Sequence, residues 1–158
     1  MDHFSRAIDI TLKLEGEYTN NIQDPGGETK FGISKKAHPE LDISRLTRTD
    51  AETLYKRNYW NPLKCDSIAW PMCLYLFDMG VNSGNMQAIK TLQKTLNIEV
   101  DGFVGLQTVD TANRASQDTI SRYLTARVFF YQSLSSYAHF GKGWIKRLFE
   151  LQRLSLES

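Results

Sequence analysis

The chain has 158 residues, of which 41% are hydrophobic and 23% are charged, and its formal net charge is +1. This length and composition are typical of one soluble globular domain with a sizeable core. The near-neutral charge disfavours a protein whose main task is to bind nucleic acid. The lysines and arginines are also spread along the chain rather than clustered. One basic cluster, residues 142–147, is explained at least as well by a solvated helix face.

No stretch approaches the roughly 18 apolar residues that a membrane span requires. The N-terminal pattern is amphipathic and acidic rather than basic and then apolar, so no secretory signal peptide is predicted. We therefore expect synthesis in the cytoplasm and any work outside to need another exit route. That origin favours reduced thiols for Cys65 and Cys73, whose spacing does not suit a metal site.

At the N-terminus, apolar residues recur at the spacing of an amphipathic helix: Phe4, Ile8 and Leu12. Gly16 is expected to end this helix, because glycine accepts the left-handed conformation that often follows a helix C-terminus. The sequence DPGG at residues 24–27 has strong turn chemistry. Together with the flanking segments 18–23 and 28–34, it predicts a small β-hairpin.

Six further helices are expected from the apolar periodicity. Thr49 and Glu52 predict a capping box for the first of these, and Pro71 suits the first turn of the next. The helix after Pro71 is apolar nearly all round, which predicts that it is the central buried one. The last four are predicted at residues 86–96, 106–115 and 116–134 and around Trp144, with GKG at 141–143 as the final break. The fold class is therefore mainly α with one small hairpin.

Glu15 lies at the C-terminal end of the predicted first helix. The helix dipole is negative there and carbonyl groups lack partners, so an ionised carboxylate is disfavoured. A carboxylic acid that keeps its proton can donate it to a leaving oxygen. Taken alone, however, a solvated glutamate before a helix-ending glycine is the simpler interpretation.

Asp24 lies nine residues beyond Glu15 at the start of the predicted turn, and Thr29 lies five residues further on in the returning strand. A hairpin folded over the helix end would bring the two carboxyls face to face. Glycoside hydrolysis uses two carboxyls in different roles, roughly 6.5–9.5 Å apart when a water must fit between them. A structural interpretation also stands, because Asp is favoured in turns and Thr in strands.

In the order Glu15, Asp24, Thr29, the stretch EGEYTNNIQDPGGETKFGIS resembles the signature of phage-type muramidases. More narrowly, it resembles glycoside hydrolase family 108, which includes phage endolysins and bacterial secretion activators. The similarity continues in YWNPLKCDSI, FDMGVNSG and GKGW, and AIKTLQKTLNIEVDGFVGLQT resembles the peptidoglycan-binding segment of this family. The resemblance divides the chain into a catalytic segment, 1–84, and a peptidoglycan-binding-like helical segment, 85–158, packed into the same compact unit.

The resemblance implies a lysozyme-like fold and cleavage of the β-1,4 bond between N-acetylmuramic acid and N-acetylglucosamine. Carried over by position, Glu15 is the general acid, Asp24 orients or activates a water, and Thr29 holds that water. The candidate substrate-binding residues are Tyr18, Gly27 and Asn82. The implied partners are peptidoglycan glycan strands and a holin or other export factor. The implied site of action is the cell wall, in the periplasm, after release or export.

Several residues keep two interpretations. Glu17 stands where the family usually has a second glycine, and either acts on Glu15 by like-charge repulsion or, as we prefer, points to solvent; Glu28 is a similar bystander. Asp78 and Asn82 either form a polar floor of the cleft or cap neighbouring backbone internally. The tryptophans, which are Trp60, Trp70 and Trp144, are more readily core residues than sugar-stacking ones.

No metal or cofactor site is expected, because the three histidines are scattered and there is no phosphate-binding glycine loop. Three other functions are weighed against the muramidase. A lytic transglycosylase would cut the same bond without adding an external water, and the pair Asp24 and Thr29 favours hydrolysis over it. A non-catalytic wall-binding module would depend on residues 98–108. A small helical nucleic-acid binder is disfavoured by the net charge.

Overall fold

The computed structural model describes residues 2–16, 18 and 27–157. This part of the chain contains seven α-helices and one two-stranded antiparallel sheet. The helices are α1 His3–Glu15, α2 Arg48–Tyr55, α3 Met72–Ser83, α4 Asn85–Leu96, α5 Leu106–Asn113, α6 Gln117–Gln132 and α7 Tyr137–Glu157. The strands are β1 Thr29–Lys30 and β2 Ile33–Ser34. A π-helical turn, Lys56–Trp60, continues α2, and short 3-10 turns lie at Ile43–Arg45 and Cys65–Ser67.

Helix α3 forms the centre of the core. Every residue from Met72 to Gly80 is buried, as the nearly uniform apolar sequence predicts. Helices α1, α4 and α6 pack against α3, and α7 packs against α1 and α6. One hydrophobic cluster consequently extends from the first helix to the last, and its members include Ala7, Leu74, Leu92, Tyr123 and Leu151.

Helix α1 ends where its sequence predicts, before Gly16. The Asp2 carboxylate caps it by accepting a hydrogen bond of 2.8 Å from the Ser5 amide. The apolar face buries Ala7, Ile8 and Ile10. Gly16 follows the helix with a φ of 83°, a value that glycine adopts readily. This ending leaves Glu15 as the last residue of the helix.

The hairpin lies at a different place from the predicted one. Thr29 pairs with Ser34 and Lys30 with Ile33, so the turn consists of Phe31 and Gly32. These two residues have φ values of 53° and 75°, as a two-residue type I′ turn requires. The whole hairpin therefore lies within the segment that was predicted as a single returning strand. Of the predicted turn DPGG, residues 24–26 lie outside the described residues, as do residues 19–23 of the predicted first strand.

The capping box of α2 lies two residues before the predicted one. The Thr47 hydroxyl accepts a hydrogen bond from the Asp50 amide, and the Asp50 carboxylate accepts one from the Thr47 amide. Thr47 and Asp50 have the same three-residue spacing as the predicted pair, Thr49 and Glu52. The predicted pair is wrong because both pairs fit the motif and the helix begins at the earlier one.

The predicted break at GKG is also wrong, because α7 runs through residues 141–143 without interruption. The chain turns earlier, at residues 133–136. Gly141 is buried against Tyr137, and the helix buries Leu148 and Leu151 further along. A glycine inside a helix costs only about 1 kcal/mol relative to alanine. The packing of this long amphipathic face outweighs that cost.

Candidate active site

The candidate acid, Glu15, lies in a pocket beside the hairpin. Its side chain is 20% exposed, and the pocket has a volume of about 100 Å³. Strand β2, the loop after it, α2 with its π-helical continuation, and the end of α3 form the walls. The lining residues besides Glu15 are Gly32, Ile33, Ser34, Ala37, His38, Leu54, Tyr55, Asn58, Tyr59 and Val81. The pocket thus offers both polar and apolar contacts next to one carboxyl group.

The turn of the hairpin touches the carboxyl of Glu15 directly. A Cβ atom built on Gly32 would lie 2.7 Å from Glu15 Oε2 and 2.6 Å from the Tyr55 hydroxyl. That hydroxyl donates a hydrogen bond of 2.9 Å to the Phe31 carbonyl. Glycine is therefore required at position 32 for two reasons, its positive φ and the close approach of the acid.

One oxygen of Glu15 is held by an arginine from the far end of the sequence. Arg147 Nη2 in α7 donates a hydrogen bond of 2.7 Å to Glu15 Oε1. The same nitrogen lies 2.7 Å from Asp78 Oδ1, and Arg147 Nε lies 3.1 Å from that oxygen. Glu15 Oε2 accepts no hydrogen bond from any residue that the structure describes. The two oxygens of the acid thus have different environments.

Beneath Arg147, a second arginine binds the other side of Asp78. Arg127 Nη2 donates to Asp78 Oδ2 at 2.9 Å and to the Tyr131 hydroxyl at 2.7 Å. The Tyr131 hydroxyl in turn donates to Asn82 Oδ1 at 2.8 Å. Asp78 and Arg127 are completely buried. A continuous polar chain consequently runs from Glu15 through the core to Asn82.

The charged groups of this polar chain shift one another's pKa values. Burial raises the pKa of Asp78, but the neighbouring Arg147 and Arg127 guanidinium groups outweigh burial, and the net pKa is lowered. Burial opposes the charge of Arg147, yet Asp78 and then Glu15 raise its pKa well above the ordinary value. Both groups are therefore ionised in the folded protein. Burial, followed by the charge of Glu15, also raises the pKa of Tyr59, which remains a hydroxyl donor in the pocket wall.

Of the predicted catalytic set, Thr29 lies on the hairpin and Asp24 lies outside the described residues. Thr29 Oγ1 donates to the Gly27 carbonyl at 3.2 Å. Thr29 is the cross-strand partner of Ser34, and directly paired residues of an antiparallel sheet project from the same face. Ser34 lines the Glu15 pocket, so Thr29 is its neighbour on that face, although it does not itself line the pocket.

The predicted substrate-binding residues occupy two places. Tyr18 is 45% exposed, and its hydroxyl donates to Glu28 Oε1 at 2.9 Å, so Glu28 holds this tyrosine rather than being a mere bystander. Gly27 contributes the carbonyl that Thr29 binds. Asn82 is half-buried at the end of the polar chain from Glu15. Glu17, the departure from the family pattern, lies outside the described residues.

Sequence reasoning missed Arg127 and Arg147, which are separated from Glu15 by more than a hundred residues. The available signal was a charged residue on an apolar stripe, because Tyr123, Arg127 and Tyr131 follow one another at four-residue spacing on the buried face of α6. Such a residue needs a buried counter-charge. The solvated-face interpretation of residues 142–147 is right for the exposed Lys142 and Lys146 and wrong for Arg147.

The remaining predicted features have structural roles. Trp60 is fully buried and donates to Asp66 at 2.7 Å, and neither Trp70 nor Trp144 lines the Glu15 pocket. Cys65 and Cys73 are free, buried thiols. Among residues 2–16, 18 and 27–157, no group of three His, Cys, Asp or Glu side chains is placed to hold a metal ion. In the same part of the chain, none of the helices combines the length and the apolar character of a bilayer span.

Comparison with known proteins bears on this site. Residues 8–84 match the model of the family glycosyl hydrolase 108. The structure of Brucella abortus SagA is similar to this one, with 28% sequence identity and a TM-score of 0.84 over 98% of this chain and 94% of that chain. A search among curated proteins finds no match.

The similar structure covers both segments of the chain and supports the mainly α, lysozyme-like fold with a hairpin near the N-terminus. The matched family segment contains Glu15, the hairpin and Asp78, whereas Arg127 and Arg147 lie beyond it. Residues 8–84 thus match the glycosyl hydrolase 108 family, which implies action on peptidoglycan, and this match supports a glycoside hydrolase.

Proposed function

We propose that the protein is an N-acetylmuramidase that hydrolyses the β-1,4 bond between N-acetylmuramic acid and N-acetylglucosamine, with Glu15 as the general acid. One observation carries the proposal. Within the glycosyl hydrolase domain, Glu15 places a partly exposed carboxyl in a pocket, and its Oε2 accepts no hydrogen bond from the described residues. Oε2 is therefore the oxygen we assign to the proton that is transferred.

In the reaction, the proton passes from Glu15 Oε2 to the glycosidic oxygen as the bond from the anomeric carbon to that oxygen breaks. A water then adds to the anomeric carbon and loses its proton to the second carboxylate, which we assign to Asp24. Thr29 holds this water through its hydroxyl. The position of Thr29 on the same hairpin face as Ser34, which lines the pocket, supports its assignment.

The substrate contacts are assigned on the same basis. The exposed ring of Tyr18 offers a stacking surface for a sugar, and Gly27 allows the glycan to approach the backbone beside Thr29. Asn82 is assigned to the substrate contacts at the far end of the polar chain from Glu15. Residues 85–158 are proposed to add affinity for peptidoglycan while packing into the same unit as residues 1–84, in agreement with a hydrophobic cluster that includes both segments.

Peptidoglycan lies outside the cytoplasm, so the enzyme reaches its substrate after release or export. A holin or another export factor is the partner proposed for that step. The glycan strands of the cell wall are the partner proposed for catalysis.

The test compares wild type with Glu15→Gln on purified sacculi. We expect the substitution to lower the clearing rate at least about 100-fold, the lower end of what a general acid contributes, while circular dichroism and Tm stay near wild type. Glu52→Gln is the matched control, since Glu52 is partly exposed on α2, where it pairs with Arg48, and does not line the pocket. Residual activity of Glu15→Gln within about tenfold of wild type would overturn the assignment of the acid.

Mass analysis of the products separates the alternatives. Hydrolysis gives reducing muramic acid ends, whereas a lytic transglycosylase gives anhydro-muramic acid ends. If anhydro ends dominate, the hydrolase proposal fails. If wild type binds sacculi but never cuts them, and Glu15→Gln binds equally well, the protein is a wall-binding module.

A further inference from the structure

We propose that Arg147 is a positioning residue for Glu15, and that the buried pair of Asp78 and Arg127 holds Arg147 in place. The catalytic centre is then completed by two helices that lie outside the family domain of residues 8–84. This inference rests on the proposed role of Glu15 as the general acid.

Arg147 is fixed by its contacts with Asp78 before it meets Glu15. Its Nη2 and Nε lie 2.7 Å and 3.1 Å from Asp78 Oδ1, and Nε also lies 3.4 Å from Oδ2. A planar guanidinium bound through two of its nitrogens has little orientational freedom. The same Nη2 reaches Glu15 Oε1 at 2.7 Å. The position of Asp78 therefore determines where Arg147 can hold the acid.

Asp78 is itself immobilised by Arg127, which binds its other oxygen at 2.9 Å. The three charged side chains come from α3, α6 and α7, and Asp78 and Arg127 have no exposed surface. Burying charges is costly, and replacing a buried ion pair by apolar residues is often neutral or stabilising. Stability alone is therefore a weak reason for this cluster, whereas fixing a catalytic carboxyl provides a specific one.

The charges of the cluster suit an acid that loses a proton during the reaction. Asp78 supplies one negative charge, and Glu15 supplies a second once its proton has left, against the two positive charges of Arg127 and Arg147. When Glu15 holds its proton, Arg147 keeps Asp78 as its partner and stays in place. As the proton leaves, Arg147 stabilises the carboxylate that forms. An interaction that strengthens along the reaction in this way accelerates the chemical step.

Other groups also face Glu15 from the surrounding elements. They are Tyr55 of α2, Tyr59 of the π-helical turn and His38 of the loop after β2. Burial raises the pKa of both tyrosines, so they are neutral near pH 7. Of the described groups, Arg147 is the cation in direct contact with Glu15. Removing the positive charge at position 147 should therefore alter the pH dependence of catalysis more than substituting either neutral tyrosine.

The test measures kcat, KM and the pH profile of kcat for Arg147→Gln, Arg147→Lys and Asp78→Asn. Arg147→Gln should lower kcat about 100-fold with KM within about threefold of wild type. It should also move the alkaline limb of the profile to higher pH, because loss of a neighbouring cation favours the neutral form of an acid. Arg147→Lys keeps the charge, so it should restore the alkaline limb without restoring kcat. Asp78→Asn removes an anion and should move the limb in the opposite direction.

Arg153→Gln is the matched control, because Arg153 lies in the same helix and forms exposed ion pairs with Glu150 and Glu157. It should leave kcat and the pH profile unchanged. The inference is overturned if Arg147→Gln has the kcat of Arg153→Gln. It is equally overturned if activity falls only in proportion to the folded fraction, with the alkaline limb unmoved. An active Glu15→Gln variant would instead overturn the proposed function itself.

Discussion

At the scale of single residues, the site depends on a glycine that no catalytic motif would single out. Gly32 places the backbone of the hairpin turn against both Glu15 and Tyr55. Its positive φ is part of the type I′ turn that Phe31 begins. The turn therefore confines the acid from one side, while Arg147 binds it from another.

We predict that Gly32→Ala lowers the rate of sacculus clearing by more than its loss of folding stability explains. The new methyl group would lie 2.7 Å from Glu15 Oε2 and 2.6 Å from the Tyr55 hydroxyl, so both side chains must move. The positive φ adds a cost of about 1–2 kcal/mol. Sacculus clearing and thermal unfolding of the variant measure the two effects.

Gly84→Ala is the control for backbone strain alone. Gly84 has a φ of 87° but nothing within 4 Å of a Cβ built on it. This variant should lose stability through its backbone strain alone and keep its activity. Equal activities of Gly32→Ala and Gly84→Ala would show that the close approach of residue 32 to the acid has no catalytic importance.

The two thiols are protected by burial rather than by pairing. Burial raises the pKa of Cys73 from 9.0 to about 12 and raises that of Cys65 as well. We predict that neither thiol of the native protein reacts with a disulfide reagent at pH 8, and that both react at the rate of unfolding. Rapid labelling of one thiol under native conditions would contradict this prediction.

The same shift gives a pH dependence of stability with a definite sign. Below pH 9.0 the thiol of Cys73 is protonated in both the folded and the unfolded chain. Between pH 9.0 and about 12 the unfolded chain ionises and the folded one does not, so stability falls as pH rises through this window. Cys73→Ala removes this titration and should flatten the curve of unfolding free energy against pH between 9.0 and about 12. Cys73→Ser is less suitable, because it buries a hydroxyl.

At the scale of the elements, the continuity of α7 decides where Arg147 points. Gly141 and Gly143 lie inside the helix, and their helical conformation keeps Trp144, Arg147 and Leu148 in one register. A break at GKG, as the sequence suggested, would remove the fixed spacing between Tyr137 and Arg147. The two glycines differ in their surroundings, so replacing each by alanine tests whether the helix is continuous here.

We predict that Gly143→Ala raises the Tm and that Gly141→Ala lowers it. A Cβ on Gly143 meets nothing within 4 Å, so the gain in helix propensity, up to about 1 kcal/mol, is realised. A Cβ on Gly141 would lie 2.5 Å from the ring of Tyr137. Thermal unfolding of the two variants gives the answer, and a lower Tm for Gly143→Ala would mean that residue 143 is not helical.

The sequence predicts best the elements that depend on short-range patterns. The stripe of α1, the uniform apolar run of α3 and the Ser116 cap of α6 each have a local signature. The hairpin was misplaced because Phe31 has the character of a strand residue, whereas the register depends on the positive φ of Phe31 and Gly32. No local pattern predicts where this two-residue turn begins, because the stronger turn motif DPGG lies only a few residues before it.

The same reasoning applies to the candidate site. Glu15 can be proposed from the sequence because its place at a helix end and its motif are local. Arg147 becomes visible only when α1, α3 and α7 are packed together, since its partners are Glu15 and Asp78. Periodicity places Arg147 on a helix face but does not name the helix that it faces.

At the scale of the whole molecule, the core does not follow the division between residues 8–84, which match the family model, and the rest of the chain. The match to the family ends at residue 84. The hydrophobic cluster continues through Leu92, Ile120, Tyr123 and Leu151, and both arginines of the polar chain also lie beyond residue 84. Residues 1–84 consequently contain the proposed acid but lack the groups that hold it.

We therefore predict that residues 1–84 expressed alone neither unfold cooperatively nor clear sacculi. The fragment would expose the faces of α3 that pack on α4 and α6. It would also leave Asp78, now fully buried, without Arg127 and Arg147. Removing the partner of a buried charge costs about 3–5 kcal/mol, a large share of the 5–15 kcal/mol that typically stabilises a domain. Thermal unfolding followed by circular dichroism and a clearing assay measure both properties against the full chain. A fragment that melts cooperatively and cleaves the wall would mean that residues 8–84 position Glu15 unaided, and that the contact with Arg147 is dispensable.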